Sequence, residues 1–555
     1  MGEPRSRVSA AAYWEGLYAE RQDGWELAEA APSLLACFYP LKDGTDGPPF
    51  PVSRPGIEAA LGPFFNIVEA GPPPASRAPR RLIHPCGRAR VGQFFRDGLG
   101  APARRSNAKG GMSMKVFRIV LVLLLIAGVG GGLASRDMAD AQAQTIKIGL
   151  LYDHTGPFAA GGSLNCWRGA KMMIDLINER GGVAGKYKIV QVDGDGQSKT
   201  EVAINEAERL LNVEKVDVLA GIFSSAHAVP VAEKVDKQKR FLWITTAISS
   251  KVFDGRNLQY TFRPQPTGDQ FGALSVQYIN DYSQEKFKKP AKELRLAIIH
   301  EDGAYGADVA LGNELKAKEL GLNVVLKEGY SASAPDLSAL VTKLRSVRPD
   351  VLFHTGYNPD IALFLRQATE QGLRLRAYIG HGAGHSQIDK LKEAYGAKEI
   401  EGFHTVDPIA SQLLDPKKLK PGVGELTAEM VKRYKALYDK DVEDRAIAPH
   451  VSMGFNNMWI LLNDVVPRAI TKYGGFGPEA LAKAARDTDI PEGGTMQGYG
   501  VKFNPPGHRF AGQNERSFPA VFEIIETKFE LVFPKTVATA QPLLPLPASS
   551  PLAAR

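Results

Sequence analysis

Cysteine is nearly absent from this chain of 555 residues: there are three, Cys37, Cys86 and Cys166. Two precede residue 114, so the rest of the chain holds a single thiol. That is too few for an internal disulfide, so the fold must rest on its core. A dominant sign of charge is lacking as well. The chain is formally +7, but residues 144–555 hold 51 Lys and Arg against 48 Asp and Glu. So even a balance removes the electrostatic case for nucleic-acid binding. Long apolar runs are also scarce. Beyond residue 143 none approaches the roughly 18 residues a membrane-spanning helix needs.

The apolar run that does exist is informative. Met114-Lys115-Val116-Phe117-Arg118 is a short basic start, and Ile119–Ala127 is unbroken apolar. Ala139-Asp140-Ala141-Gln142-Ala143 then offers two overlapping A-x-A sites. Those parts in that order read as a secretory signal at 114–143, with the exported protein beginning near Gln144. An uncleaved anchor is the alternative, since Ile119–Ser135 is at the short limit for a span. Residues 1–113 hold twelve Arg but only two Lys, with proline clusters at Pro48-Pro49 and Pro72-Pro73-Pro74. No period of 2 or 3.6 is sustained there. A misassigned start, with Met112 or Met114 as initiator, is expected.

After Gln144, strand and helix patterns alternate. Ile146–Tyr152, Tyr187–Val192, Val216–Ile222 and Phe241–Thr245 read as strands. Between them lie helices at Leu164–Arg180, Thr200–Leu211 and Ala226–Lys237. The pattern restarts with a helix at Gly272–Tyr282 and strands at Leu294–His300, Asn323–Lys327, Asp350–His354 and Leu375–Gly380. Helices near Ala307–Leu320, Leu337–Arg345 and Asp360–Gln371 separate these. Three more helices follow (Glu425–Tyr438, Val451–Ile470, Pro478–Asp487), then strands near Tyr499–Phe503, Ala520–Ile525 and Phe529–Phe533. Such alternation predicts βαβ units and parallel sheets covered on both faces. About 412 residues exceed what one core usually serves, so two domains are expected. The tail at 537–555, rich in Pro, Ala and Ser, is expected to lie extended on the surface.

Several strings carry a resemblance: IKIGLLYDHTGPFAAGG from Ile146, RGAKMMIDLINERGGVAGK from Arg168, and GIFSS ending at Ser225. EDGAYGADV, FHTGYNPDIALFLRQATEQGL and MGFNNMWILL follow in order. Together they resemble the substrate-binding proteins of branched-chain amino acid ABC importers, from about Thr145 to Phe533. The resemblance implies the type I periplasmic binding fold: two doubly wound parallel-sheet lobes joined by three crossovers, with a ligand cleft between them. The lobes would divide as 144–266, 267–406, 407–505 and 506–536, alternating first and second. The implied function is capture of a small polar ligand by hinge closure and delivery to permease subunits in the periplasm. No enzyme activity and no cofactor are expected. The alternatives are an amide, urea derivative or aromatic acid as ligand, or a sensor instead of a transport component.

Ser224-Ser225 stand between a strand and a helix start, where hydroxyls and free N–H groups favour an anion. A simple N-cap is the other reading. By resemblance this position takes the ligand's α-carboxylate. Ala247 and Ser249 would offer a backbone group and a hydroxyl to the same ligand head, or form a local polar turn. Tyr305 matches a tyrosine that closes over the ligand, with Asp302 beside it. Relatives that bind α-amino acids have an acid after the strand matching Leu375–Gly380, where this chain reads His381-Gly382-Ala383-Gly384-His385. His381 is therefore a candidate contact for a carboxylate, amide or aromatic ligand, and Asp302 or Asp407 could supply the missing charge. The HGAG run lacks the G-x-S-x-G elbow of an esterase. Asp193-Gly194-Asp195-Gly196 lacks the full calcium-loop spacing. His381 and His385 have no further ligands at zinc spacing and read as solvated loop histidines.

Overall fold

The computed structural model describes residues 145–554; the leader and signal expected at 1–113 and 114–143 lie outside the described residues. β1 (Thr145–Tyr152) is apolar on both sides, as a strand covered on both faces must be. Ile146, Ile148, Leu150 and Tyr152 enter one core and Leu151 another. α1 (Leu164–Glu179), β2 (Lys188–Asp195), α2 (Thr200–Glu208), β3 (Val218–Gly221), α3 (Ser225–Lys237), β4 (Leu242–Ile244) and β5 (Thr261–Phe262) follow. The five strands are parallel, in the order β2-β1-β3-β4-β5. β5 adds to the strands read from the sequence, since two residues leave no periodic signal.

The chain then crosses at Arg263–Thr267. Thr267 and Gln270 form a capping box that starts α4 (Gly268–Tyr282). The second lobe continues through β6 (Arg295–Glu301), α5 (Ala304–Glu319), β7 (Asn323–Tyr330), α6 (Ser338–Val347) and β8 (Val351–Thr355). It goes on with α7 (Asn358–Glu370), β9 (Ala377–His381), α8 (Ile388–Tyr395) and β10 (His404–Pro408). After β10 the chain returns to the first lobe as α9 (Gly424–Leu437), α10 (Pro449–Ile460), α11 (Val466–Tyr473) and α12 (Pro478–Arg486). A two-stranded ribbon, β11 (Asp489–Ile490) with β12 (Val501–Lys502), completes that visit. Last come β13 (Pro519–Ile525) and β14 (Lys528–Phe533) in the second lobe. Its seven strands run β14-β13-β10-β9-β8-β6-β7, with only β13 and β14 antiparallel to their neighbours.

Three details differ from expectation. The helix read as Val451–Ile470 is broken by a π-turn at Leu461–Val465, just before Pro467, which has no N–H to donate. The third crossing begins at Gln513, so residues 506–512, expected in the second lobe, stay with the first. Arg263 N donates to Gly512 O at 3.0 Å and Gly255 N to Arg509 O at 2.9 Å, tying that segment to the first lobe. The tail after β14 is built into the second lobe: Leu546 and Leu552 are buried there, and Leu375 N donates to Leu552 O at 2.7 Å.

Each lobe is centred on one helix pair packed backbone to backbone. In the first, α1 crosses α10: a Cβ on Gly169 would lie 2.1 Å from Val451 O, and one on Gly454 2.0 Å from Cys166 O. In the second, α4 crosses α5: a Cβ on Gly272 would lie 2.0 Å from Val309 O, and one on Gly312 2.1 Å from Asp269 O. Only glycine permits such an approach. Among the described residues no helix is long and apolar enough to cross a membrane.

Candidate functional site

The carboxyl ends of the parallel strands in the two lobes face each other, the place where open α/β sheets receive ligands. They meet closely. Asn165 Nδ2 donates to Gln387 Oε1 at 2.8 Å, and Gln387 Nε2 lies 2.9 Å from His450 Nδ1. Asp308 on α5 accepts from the backbone N and the hydroxyl of Ser250. The rings of Phe158 and Tyr357 pack 4.4 Å apart across the gap. A cavity of about 30 Å³ lies between the lobes, room for a water or two. This is a closed cleft.

The first lobe lends the cavity Phe223, Ser225, Thr246 and His450; the second lends Tyr305, Tyr357, Gly382 and Asp407. β3 delivers Phe223 and the serines because it ends in Gly221 at φ +112°, a turn that a side chain would obstruct by meeting Leu151 O at 2.6 Å. Ser224 is the N-cap of α3 by position, yet its hydroxyl makes no capping bond. That oxygen is buried and has no partner. Ser225 is engaged instead: its Oγ accepts from Ile248 N at 3.2 Å and Ser249 N at 3.1 Å.

Ala247 lies behind the cavity wall. Its N–H donates to Ile222 O at 2.9 Å and its carbonyl accepts from Arg263 at 2.8 Å, so both backbone groups are used internally. The Ser249 hydroxyl accepts from Lys251 N at 3.3 Å and caps the short 3-10 turn Ser250–Val252. Tyr305 lines the cavity from α5, and its hydroxyl donates to His381 O. Asp302 does not come near. It is exposed, and its N–H donates to Tyr330 O at 2.9 Å.

The histidine loop also departs from expectation. His381 is fully buried with both ring nitrogens occupied: Nδ1 lies 2.9 Å from Thr355 Oγ1 and Nε2 3.0 Å from Ser275 Oγ. His385 is buried on Tyr378, whose hydroxyl lies 3.0 Å from its Nε2. Burial pushes both down to about 3, so they are neutral core histidines and not solvated ones. His381 turns its ring into the second lobe because β9 places that residue on the sheet face under α4. Beneath the loop run Asp360, Tyr330, His354 and Tyr378, joined by hydrogen bonds of 2.6–2.7 Å.

Asp407, on β10, is the acid that reaches the cavity. It is 2% exposed and its Oδ2 has no partner. Burial pushes it up to about 7, partly offset by the Ser386 hydroxyl. Tyr357 was missed as a site residue although it N-caps α7 in the quoted FHTGYNP string. Thr246 and His450 carried no sequence signal beyond their polarity. A larger surface depression of about 420 Å³ runs along Tyr473–Lys483, but no residue lining it is buried. Asp195 closes a turn, accepting from His154 N and Gln197 N. Among the described residues no group of three or more His, Cys, Asp or Glu is placed to hold a metal ion.

Residues 145–514 match a family model described as periplasmic binding protein. The chain is similar to Leu/Ile/Val-binding protein homolog 7 of Brucella suis, 33% identical over 400 residues, covering 72% of this chain and 94% of the relative. Among solved structures it resembles the branched-chain amino acid transporter substrate binding protein LivJ of Streptococcus pneumoniae in complex with isoleucine. That match has a TM-score of 0.55 and 19% identity, over 70% of this chain and all of the other. It also resembles a solute binding protein of an ABC transporter from R. palustris in complex with 4-hydroxybenzoate. There the TM-score is 0.54 and the identity 18%, over 70% of this chain and 95% of the other. The two solved structures carry the fold alone.

Proposed function

The chain belongs to the periplasmic binding protein family, and we propose that it captures a small carboxylate-bearing solute, a branched-chain amino acid, for an ABC importer. The observation that supports this reading most is the start of α3, where Ser225 lines the inter-lobe cavity and the neighbouring buried Ser224 hydroxyl makes no capping bond. A buried hydroxyl beside the first N–H groups of a helix favours a carboxylate. Phe223, Ile248 and Met453 give the remaining wall an apolar character suited to an aliphatic side chain.

The mechanism is a hinge equilibrium. With the lobes apart, a ligand touches one set of residues; with the lobes together it touches both. Binding then shifts the population toward closure by the difference in affinity. The cavity is too small to be entered as it stands, so the open form admits the ligand and the closed form carries it to the permease. Export to the periplasm through the 114–143 signal belongs to the same reading. Chemistry on the ligand does not: the Ser225 hydroxyl is held by two backbone N–H groups, not by a general base.

Calorimetric titration of the purified protein with leucine, isoleucine and valine tests this, with one site per chain expected. A second reading is favoured by the rings of Phe223, Phe271, Tyr305 and Tyr357 around the cavity. They suit an aromatic acid, and 4-hydroxybenzoate in the same series tests that. Tighter binding of the aromatic acid than of any branched-chain amino acid would replace the first reading with the second.

A further inference from the structure

Among the residues lining the cavity there is one carboxyl, Asp407, and no Lys or Arg. A carboxyl serving structure alone is normally hydrogen-bonded when buried. Asp407 Oδ2 is buried without a partner among the described residues. Gly382 borders the space before it. A Cβ on Gly382, at φ +45°, would come within 3.4 Å of the Tyr305 hydroxyl and 3.5 Å of Asp407 Oδ1.

We propose that Asp407 receives a cationic group of the ligand. This rests on the reading of the cleft as the binding site for an amino acid. It assigns the counter-charge to β10, on the opposite side of the cleft from α3, and not to the loop after β9.

The groups around Asp407 support it. Tyr305 from α5, Tyr499 ahead of β12 and Cys166 from α1 all feel its charge, and burial holds each of them protonated. His450 from α10 shares the cavity and is pushed down to about 3, so it is neutral. No neighbour on these elements offers a positive charge at neutral pH. A carboxylate buried among neutral groups is costly, so the acid keeps a proton. A ligand ammonium changes the balance: the carboxylic acid and the cation become an ion pair, and one proton passes to solvent. Burial, partly offset by the Ser386 hydroxyl, pushes Asp407 up to about 7, so a fraction of a proton should be released per ligand at that pH.

The experiment compares leucine with 4-methylpentanoate, the same acid without its nitrogen, on wild type and Asp407→Asn. Wild type should bind leucine at least ~30-fold more tightly than 4-methylpentanoate, and Asp407→Asn should lose most of that ratio. Leucine heats measured at pH 7 in phosphate and in Tris should differ for wild type in the sense of proton release. They should agree for Asp407→Asn. If the variant does not fold, the wild-type ratio and proton count decide alone. Leucine bound by Asp407→Asn within about threefold of wild type would overturn this assignment and leave the binding reading intact. So would equal binding of both ligands by wild type. No binding of leucine or any other amino acid by wild type would overturn both.

Discussion

Arg263 and Gln513 join the first crossover to the third: Arg263 Nε donates to Gln513 Oε1 at 2.6 Å, and the two residues pair as a parallel bridge. The same guanidinium donates to Ala247 O at 2.8 Å and Ser249 O at 2.9 Å and lies 5.0 Å over the Phe253 ring. It is fully buried without an ion-pair partner, and burial pushes it down to about 10, so it stays charged. Arg263 thereby fixes two hinge segments as one unit and holds the Ala247–Ser249 loop against it. Arg263→Met leaves two buried acceptors, Gln513 Oε1 and Ala247 O, unpaired, while Ser249 O keeps its bond from Val252 N. It should cost about 3 kcal/mol or more, read as a lower urea midpoint.

Ser224 and Ser225 are predicted to separate binding from stability. The Ser224 hydroxyl makes no capping bond and only neighbours the Tyr357 hydroxyl, so Ser224→Ala should lower the melting temperature little while weakening ligand binding about tenfold. Ser225→Ala strips the acceptor from two buried N–H groups. It should cost about 1–3 kcal/mol of stability. Paired melts and titrations check both. A large stability loss in Ser224→Ala would remove it from the ligand's contacts.

Far from the cleft, His404 and Glu523 lie 3.5 Å apart, both fully buried. Burial makes them a neutral pair, with His404 pushed down to about 3 and Glu523 up to about 8. Glu523 in the unfolded chain ionises near 4.5. Between those values the folded state binds more protons than the unfolded one, so this group's contribution falls as pH rises from about 5 to 8. Glu523→Gln removes that dependence. Its stability relative to wild type should rise across that window by up to about 1 kcal/mol per pH unit. Denaturant unfolding at pH 5, 6.5 and 8 reads it, and a flat difference would contradict it.

Gly454 and Gly169 let α10 and α1 touch backbone to backbone. Gly454→Ala drives a methyl into Cys166 O and should cost about 1–3 kcal/mol. Cys166 itself is buried and its thiol is pushed up by burial. Its peptide should therefore escape alkylation, as read by mass spectrometry, until the protein is denatured.

The fold was legible wherever apolar residues repeat. IKIGLLY, LRLAIIH and the late strand Ala520–Ile525 sit in covered parallel or central positions, and burial on both faces writes a continuous apolar run. β10 was missed as a strand because His404-Thr405-Val406-Asp407-Pro408 is mostly polar though wholly buried. Its polar groups are there for the cleft and for Glu523, not for packing. α8 was missed for its brevity. The site was less legible than the fold. Ser224, Ser225 and Tyr305 do come to the cavity region, each at a helix start that turn chemistry can announce. Asp302 and His381 do not, because which side of a helix start or strand end faces the cleft depends on lobe packing that no local pattern encodes. Asp407 stood out only as a charge among covered positions.

If this cleft closes on a branched-chain amino acid, the ligand must stabilise the closed fold. Thermal unfolding of the purified protein in rising concentrations of leucine, isoleucine and valine tests it most directly. At 100 times its dissociation constant the true ligand should stabilise the fold by about 2.7 kcal/mol, and the melting temperature should keep climbing with concentration. A melting temperature unmoved by all three at millimolar concentration, while 4-hydroxybenzoate or another nitrogen-free acid raises it, would contradict the account.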